Sequence, residues 1–270
     1  MKLLTQQLMQ RSKKLSIQLS KALLLLTVTL SFSSFADLLQ DVQEKGYLTV
    51  GTTGDYKPFT FFDGETYSGY DVDVANHLAT ELGVEVRFVQ TTWKGLVGDL
   101  KEGKYDIAMG GITRRMSRQL AAEQSQGYMT FGKVFLVANG KEAQYDTLEE
   151  VNLPSVRVGV NIGGTNEKFA DEFLPNATII KFENNLDVPK AVSEGNVDVM
   201  VTETPEALYY ETTDKTLQAV RDESPFTKSQ FGYLIPVGEQ RFLNTVNFVM
   251  DEMKLKGIDR ALMKKNSLMN

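Results

Sequence analysis

Short apolar runs alternate along residues 47–109 with segments whose apolar side chains recur every three or four positions. The first pattern is typical of strands and the second of amphipathic helices. Helices are predicted at 71–82 and 93–102, the first with an aspartate capping its start and Gly83 ending it. The runs that predict strands lie at 47–50, 84–89 and 105–109. Strands that alternate with helices in this way predict an α/β fold with a parallel sheet.

A second series of the same kind begins after Gly140, and it is not a sequence repeat of the first. A late strand at 232–235 and a terminal helix at about 239–256 follow it. Because the two series have similar element orders, we expect two α/β lobes with a ligand cleft beyond the carboxyl ends of their strands. In the second series, strands are predicted at 156–160, 178–182 and 197–201, and helices near 165–172, 188–194 and 205–210.

Residues 1–36 differ in character from the rest of the chain. They contain five lysine or arginine residues and no acidic residue, then an apolar run at 22–30, and they end in Ser34-Phe35-Ala36. A basic start, an apolar run and a small-x-small ending are typical of a secretory signal peptide. We therefore predict cleavage near Ala36 and a periplasmic mature protein, residues 37–270. A membrane anchor is the alternative, although the apolar run is short for a bilayer.

The composition excludes several classes of function. The formal net charge is −6, and loss of the five positive charges in residues 1–36 takes it to −11. An acidic chain is a poor candidate for binding nucleic acid or anionic membranes. The sequence has no second long apolar segment, so stable membrane insertion is not expected. The absence of cysteine excludes disulfides, thiolate nucleophiles, zinc–cysteine sites and a lipidated cysteine. With His77 as the one histidine and no calcium-loop or phosphate-loop pattern, nothing indicates a Ser-His hydrolase, a metal or a cofactor.

One predicted strand, 156–160, leads almost directly into Gly163 and Gly164, and a polar helix start follows at Thr165. The first N–H groups of a helix lack partners within it, and the helix dipole favours negative charge there. The joint therefore predicts a site for a small anion such as a carboxylate. The alternative is an ordinary strand–turn–helix joint.

Arg118 is well suited to such a ligand, because a guanidinium binds a carboxylate in a bidentate way. Its spacing from Arg114 and Arg115 is also consistent with three solvated arginines on one short helix. The residues alone leave both interpretations open.

Three segments together resemble periplasmic amino-acid-binding proteins. They are 52–59 (TTGDYKPF), 69–73 (GYDVD) and 106–111 (DIAMGG), the last followed by Arg118. The resemblance covers almost all of residues 37–270. It implies a type II periplasmic-binding-protein fold, in which two α/β lobes are joined by two crossover strands with a ligand cleft between them. Lobe one would comprise about 37–132 plus 232–270, and lobe two about 139–226.

Within that superfamily, the chain more closely resembles the cyclohexadienyl dehydratases. The matching pieces are 53–59, Thr92-Trp93, 160–169, and Glu206-Ala207 after 198–202. Members of this family resemble solute-binding proteins but remove water and carbon dioxide from prephenate or arogenate. The chain departs from the pattern at Glu203, where aspartate is usual, and in the segments 123–128 and 229–233.

The resemblance places Glu206 at the family's general acid, which protonates the departing hydroxyl. Thr204 is expected to cap the helix and Pro205 to be its first residue, so Glu206 would lie in the first turn. A free glutamate has a pKa of about 4.3, and burial between closed lobes would have to raise it. The alternative is a glutamate that only complements the helix dipole.

The resemblance also implies pocket positions for Asp55, Trp93, Arg118 and Asn161. Aromatic side chains would line a cyclic ligand, carboxylates could bind an amino group, and backbone or hydroxyl donors could meet a carboxylate. Core packing, helix caps and turns are the corresponding alternatives. The predicted substrate-binding residues are Asp55, Tyr56, Trp93, Gly111, Thr113, Arg118, Asn161, Gly164, Thr165 and Glu203. Lys133, near the expected crossover, could have a structural role only.

Two functions follow from these observations. The first is an exported dehydratase acting on prephenate or arogenate. The second is a non-catalytic binding protein that delivers an amino acid to an ABC permease. In both, the ligand is a small molecule bearing a carboxylate, no cofactor is needed, and the lobes close over the ligand by a hinge.

Overall fold

The computed structural model of the chain describes Met9 and residues 37–269. The predicted signal peptide lies outside the described residues apart from Met9, and residues 37–270 form a unit of their own. Within the described part of the chain, no helix is both long enough and apolar enough to cross a membrane.

Strands form where β-branched and aromatic residues run together, as the sequence pattern predicts. The strand predicted at 178–182 is confirmed at the same residues. Those predicted at 84–89 and 156–160 are confirmed with a shift of one residue. In chain order the strands are β1 (Tyr47–Thr52), β2 (Asp55–Tyr56), β3 (Thr60–Phe62), β4 (Tyr67–Ser68), β5 (Glu85–Gln90), β6 (Ile107–Ala108), β7 (Glu123–Gln124), β8 (Met129–Phe131), β9 (Lys133–Ala138), β10 (Arg157–Asn161), β11 (Thr178–Phe182), β12 (Val199–Glu203), β13 (Leu217–Val220), β14 (Ser229–Phe231) and β15 (Leu234–Ile235).

The helices follow the predicted periodicity, with one wrong cap. Gly83 ends the helix predicted at 71–82 in a left-handed conformation, as expected. The aspartate cap is wrong, because the N-cap is Gly69 and Asp71 is buried inside the lobe. In chain order the α-helices are α1 (Leu38–Lys45), α2 (Tyr70–Leu82), α3 (Leu96–Lys101), α4 (Met116–Gln119), α5 (Leu148–Val151), α6 (Thr165–Phe173), α7 (Asp187–Ser193), α8 (Thr204–Thr213), α9 (Gln240–Leu255) and α10 (Ile258–Lys265).

Each lobe contains one five-stranded sheet. The strand order is β5-β1-β6-β15-β7 in the first lobe and β11-β10-β12-β9-β13 in the second. β1 is parallel to β5 and β6, and β10 is parallel to β11 and β12. β15 and β9, by contrast, run antiparallel to both of their neighbours. The sheets predicted as parallel are therefore mixed, because each of these strands is the one with which the chain enters a lobe after crossing.

Two strands connect the lobes, β8 and β14, and they pair with each other in antiparallel register. β8 leads into β9 of the second lobe, and β14 leads back to β15 of the first. The fold of two α/β lobes joined by two crossover strands is thus confirmed. Because β9 pairs with β12 and β13, the second sheet begins at Lys133, before the limit expected near residue 139.

Each lobe has its own apolar core. In the first, side chains of β1, α2 and α9 pack together with Phe131 and Phe231 of the connecting strands. In the second, the buried valines of β10 and β12 pack with Phe135 and Phe169. Burying one large apolar side chain contributes about 1.5–3 kcal/mol relative to exposure, so these cores hold the carboxyl ends of the strands firmly at the cleft.

Candidate active site

The two lobes enclose a small cavity beside the carboxyl ends of β10 and β12. Its free volume is about 10 Å³, roughly the space of one water molecule, so a ring-sized ligand can enter only when the lobes separate. The residues that line it are Tyr56, Trp93, Gly111, Thr113, Asn161, Gly164, Thr165, Asn166, Asn185 and Glu203. Of the predicted site residues, Asp55, Arg118 and Glu206 lie behind this lining. Asn166 and Asn185 line the cavity and were not predicted.

The strand–glycine–helix joint forms as predicted, with β10 ending at Asn161 and α6 beginning at Thr165. Gly163 has a φ of 80°, in the left-handed region that favours glycine. A Cβ atom there would lie 2.7 Å from the backbone nitrogen of Lys94 in the other lobe. The Gly163 amide itself donates to Glu167 at 2.7 Å. The cavity lining includes Gly164 and Thr165 at the start of α6, where the helix dipole favours an anionic ligand group.

A buried ion pair joins Lys133 at the start of β9 to Glu203 at the end of β12. The Lys133 ammonium also donates to the Thr165 hydroxyl at 2.8 Å and to the side-chain oxygen of Asn166. Glu203 accepts further hydrogen bonds from the Tyr56 hydroxyl at 2.6 Å and from Thr165 at 3.1 Å. Burial alone would raise the pKa of Glu203, but the Lys133 charge and these hydrogen bonds hold it below its usual value. Lys133 is thus part of the site.

Glu206 lies in the first turn of α8 and its side chain is fully buried. The helix begins at Thr204, with Glu203 as its N-cap, so the predicted threonine cap is wrong by one residue. The Thr204 hydroxyl is engaged elsewhere, because it donates to the backbone oxygen of Gly132 at 3.2 Å. The first-turn position of Glu206 follows the prediction despite this shift.

The surroundings of Glu206 favour its protonated form. Burial raises the pKa of Glu206 well above its usual value, and the negative charges of Glu203 and Asp55 raise it further. Hydrogen bonds from the Thr202 hydroxyl and from the Asn185 side-chain amide, the latter at 2.6 Å, oppose the rise without cancelling it. Desolvation therefore prevails, which is the condition for a glutamate to act as a general acid near neutral pH.

Asn185 bridges the two lobes and was missed by sequence reasoning. Its backbone amide donates to Asp55 Oδ2 at 3.0 Å, and its side-chain nitrogen contacts the Asp55 carbonyl oxygen at 3.2 Å as well as Glu206. Its side-chain oxygen is buried and has no hydrogen-bond partner among the described residues. Asn185 follows β11, and residues just beyond a strand's carboxyl end are the signal that could have found it.

Aromatic side chains form one wall of the cavity. The rings of Tyr56 and Trp93 pack edge to face, with centroids 5.6 Å apart. The indole nitrogen of Trp93 donates to Asp55 Oδ1 at 3.0 Å, which fixes the ring. Both oxygens of Asp55 are therefore engaged within the protein, and this residue positions Trp93 and Asn185 rather than facing the cavity.

Gly111, Thr113 and Arg118, which were predicted to bind a carboxylate, belong to the first lobe. Arg118 is buried and its guanidinium donates to the Thr113 carbonyl oxygen at 2.7 Å, the one side-chain hydrogen bond that it makes to the described residues. Burial lowers the pKa of Arg118 to about 10, so it stays charged at neutral pH. The Thr113 hydroxyl lies 3.4 Å from that of Thr165 across the cleft. The expected donor role of the Gly111 amide is wrong, because this amide donates to Asp71 at 2.6 Å.

This arrangement offers positive charge and a proton donor to one small ligand. Arg118 and the start of α6 can neutralise carboxylates, whereas the Lys133 charge is already balanced by Glu203. Tyr56 and Trp93 provide ring surfaces, and Glu206 can supply a proton. Within the described residues, no cluster of histidine, aspartate and glutamate side chains is placed to hold a metal ion.

Comparison with known proteins shows which proteins the chain is similar to. A model of the bacterial extracellular solute-binding proteins, family 3, matches residues 48–267. The chain is 37% identical over 219 residues to a cyclohexadienyl dehydratase from Pseudomonas aeruginosa, covering 81% of this chain and 82% of that protein. It is 30% identical over 244 residues to the L-cystine-binding protein TcyJ of Escherichia coli, covering 89% and 90% of the two chains.

Solved structures give the same relationship. An ancestral amino acid-binding protein, described as a precursor of cyclohexadienyl dehydratase, matches with a TM-score of 0.79 at 40% identity, covering 84% of this chain and 98% of that one. An ancestral cyclohexadienyl dehydratase matches with a TM-score of 0.54 at 50% identity, covering 86% and 96%.

Proposed function

The chain belongs to the bacterial extracellular solute-binding proteins of family 3, and within that family we propose that it is an exported dehydratase of prephenate, arogenate or both. Prephenate would give phenylpyruvate and arogenate would give phenylalanine, each with loss of one water and one carbon dioxide. The relative at 37% identity is itself a cyclohexadienyl dehydratase, which supports this activity. The extracellular character of the family supports a periplasmic location for residues 37–270.

The observation that carries the proposal is the fully buried Glu206, whose pKa is raised by its surroundings. The ring hydroxyl leaves as water when the carbon–oxygen bond breaks and Glu206 donates a proton to that oxygen. The bond to the ring carboxylate breaks at the same time, carbon dioxide leaves, and its electron pair completes the aromatic ring. Aromatisation supplies the driving force, so the protein mainly orients the substrate and provides the proton.

The other residues of the site would hold the substrate for this step. Arg118 would bind one carboxylate, and the start of α6 would face the second. Tyr56 and Trp93 would enclose the ring. Asn185, which contacts Glu206 and has an unpaired side-chain oxygen, would accept a hydrogen bond from the departing hydroxyl.

The ion pair between Lys133 and Glu203 favours prephenate over arogenate. An ammonium group on the ligand would have to share Glu203 with the Lys133 ammonium, and two cations on one buried carboxylate repel each other. A 2-oxo group carries no charge and does not compete. We therefore expect a higher kcat/KM for prephenate.

The alternative function is a binding protein that delivers an amino acid to an ABC permease. Its support is the 30% identity to an L-cystine-binding protein and the likeness to an ancestral amino acid-binding protein. It predicts a large thermal stabilisation by one amino acid, because a ligand that binds only the folded state raises the melting temperature.

One experiment separates the two functions. The purified protein is incubated with prephenate at neutral pH and phenylpyruvate absorbance is followed, with arogenate and phenylalanine formation in parallel. Turnover supports the dehydratase. No turnover of either substrate, together with marked stabilisation by an amino acid, would overturn it in favour of the binding protein.

A further inference from the structure

Asp71 is a buried carboxylate that neither caps a helix nor forms an ion pair among the described residues. It is the second residue of α2 and is 1% exposed. Its Oδ2 atom accepts the Gly111 amide at 2.6 Å and the Tyr128 hydroxyl at 2.8 Å, and its Oδ1 atom accepts the Tyr233 hydroxyl at 2.8 Å. A charge taken out of water in this way is tolerated only with such donors.

Two of the three donors lie beside the connecting strands, and the third belongs to the cavity lining. Tyr128 immediately precedes β8, and Tyr233 lies between β14 and β15. These two tyrosines therefore stand at the first-lobe ends of both connecting strands, and their rings stack with centroids 5.2 Å apart. Gly111 belongs to the cavity lining. One carboxylate thus holds the first-lobe ends of both connecting strands and one residue of the cavity lining.

The contact with Gly111 extends to the carboxylate-binding side of the site. Two residues further on, the Thr113 carbonyl oxygen accepts the guanidinium of Arg118 at 2.7 Å. Gly111 itself packs closely against the Tyr56 ring, since a Cβ there would lie 2.3 Å from it. A change at Asp71 would therefore shift the backbone that seats Arg118.

We propose that Asp71 is a positioning residue, which keeps the two connecting strands and the loop 110–113 in one fixed arrangement. When the lobes close, the ligand-binding residues of the first lobe are then already in position to meet the second lobe. This role concerns ligand binding, not the chemical step, and it holds for any carboxylate ligand. Only the KM readout below rests on the proposed function.

The test compares Asp71→Asn with the double variant Tyr128→Phe/Tyr233→Phe. In both we expect KM for prephenate to rise about tenfold with kcat within about twofold, since charged hydrogen bonds of this kind contribute about one to two powers of ten. Amide hydrogen exchange, followed by mass spectrometry, should accelerate about tenfold at residues 110–113 and at both connecting strands together. The double variant decides the matter if Asp71→Asn does not fold.

Two controls separate positioning from general loss of stability. Tyr70→Phe removes a hydroxyl from the same ring cluster, one that does not bond to Asp71, and should change neither readout. Asp106→Asn removes a buried carboxylate that accepts the Thr49 amide and Lys45, and should lower stability without raising KM.

Unchanged KM in both test variants, or faster exchange confined to one of the segments, would overturn the proposal. If the wild-type protein does not turn over prephenate, the proposed function fails, and the exchange experiment still decides the role of Asp71.

Discussion

The side-chain amide of Asn185 donates to the carboxyl group of Glu206 at 2.6 Å. The same amide nitrogen contacts the Asp55 carbonyl oxygen in the other lobe, so closure of the lobes and placement of the proton donor depend on one side chain. A general acid works only when it is held at hydrogen-bond distance from the atom it protonates. The bridge is therefore the link between lobe closure and the proposed chemistry.

Glu206→Gln should abolish most of the turnover and leave the fold intact. Glutamine has the shape and hydrogen bonds of the protonated acid but cannot give up a proton, and general acid catalysis contributes about 10²–10⁴ in rate. The measurement is kcat with prephenate, with circular dichroism and thermal unfolding to verify the fold. Glu211→Gln, on the same helix and away from the cavity, is the matched control. Equal turnover in Glu206→Gln would exclude this residue as the acid.

Asn185→Ala should lower kcat/KM by about ten- to a hundredfold. The substitution removes the side-chain hydrogen bonds to the Asp55 carbonyl oxygen and to protonated Glu206, and each neutral hydrogen bond contributes about 0.5–1.5 kcal/mol. Steady-state kinetics with prephenate measure the effect. The neighbouring Asn184 is exposed, and its side chain accepts a hydrogen bond from the Leu186 amide within its own loop, so Asn184→Ala should stay close to wild type. Similar losses in both variants would contradict a bridging role.

Lys133→Met should destabilise the fold by about 3–5 kcal/mol, because it leaves the buried Glu203 charge without its partner. The double variant Lys133→Met/Glu203→Leu should recover much of that loss, since no charge then stays buried and unpaired. Urea unfolding measures both. Removing the exposed pair Lys190–Glu194 serves as the control and should cost less than about 1 kcal/mol. A double variant no more stable than Lys133→Met would refute the interpretation.

Gly163→Ala should raise KM for prephenate more than Gly195→Ala does. Both glycines have a left-handed φ, 80° and 73°, so alanine strains the backbone equally, by about 1–3 kcal/mol. Only at Gly163 would the added Cβ meet the other lobe, 2.7 Å from the Lys94 nitrogen, whereas the space beside Gly195 is open. The difference in KM between the two variants therefore measures hindrance to closure. Equal KM values in the two variants would mean that the lobes do not bring Gly163 and Lys94 this close together around the ligand.

The stability difference between wild type and Asp71→Asn should depend on pH. Burial raises the pKa of Asp71 from its ordinary 3.8 to about 6, so the folded state binds this proton more tightly than the unfolded state. The contribution is present in full below the ordinary pKa and is lost as pH rises through 6. We expect wild type to lose about 3 kcal/mol relative to Asp71→Asn across that range, measured by urea unfolding at several pH values. A difference that does not vary with pH would contradict it.

Local patterns predicted much of the fold. The helix at Tyr70–Leu82, its glycine end, and the joint from Asn161 to Thr165 depend on residues close in sequence, and each forms near its predicted limits. The antiparallel placement of β9 and β15 and the pairing of β8 with β14 depend on partners far along the chain. Periodicity alone does not specify such pairings.

The candidate site was predictable in part for the same reason. Tyr56, Trp93 and Asn161 follow strands or lie at strand ends, and the family resemblance pointed to Trp93 and Asn161. The bond between Lys133 and Glu203 and the bridge from Asn185 to Asp55 exist only once the sheets and lobes are assembled. Lys133 and Asn185 are ordinary residue types, so no local motif marked these two.

The cavity of about 10 Å³ also has a kinetic meaning. Carbon dioxide and an aromatic acid could not both leave so small a space, so each catalytic cycle would have to include one opening of the protein. The frequency of that movement would set a ceiling on the number of substrate molecules converted per second, however fast the bond-breaking step. Two strands of three residues each, neither of them part of the cavity lining, would then govern the pace of the whole cycle.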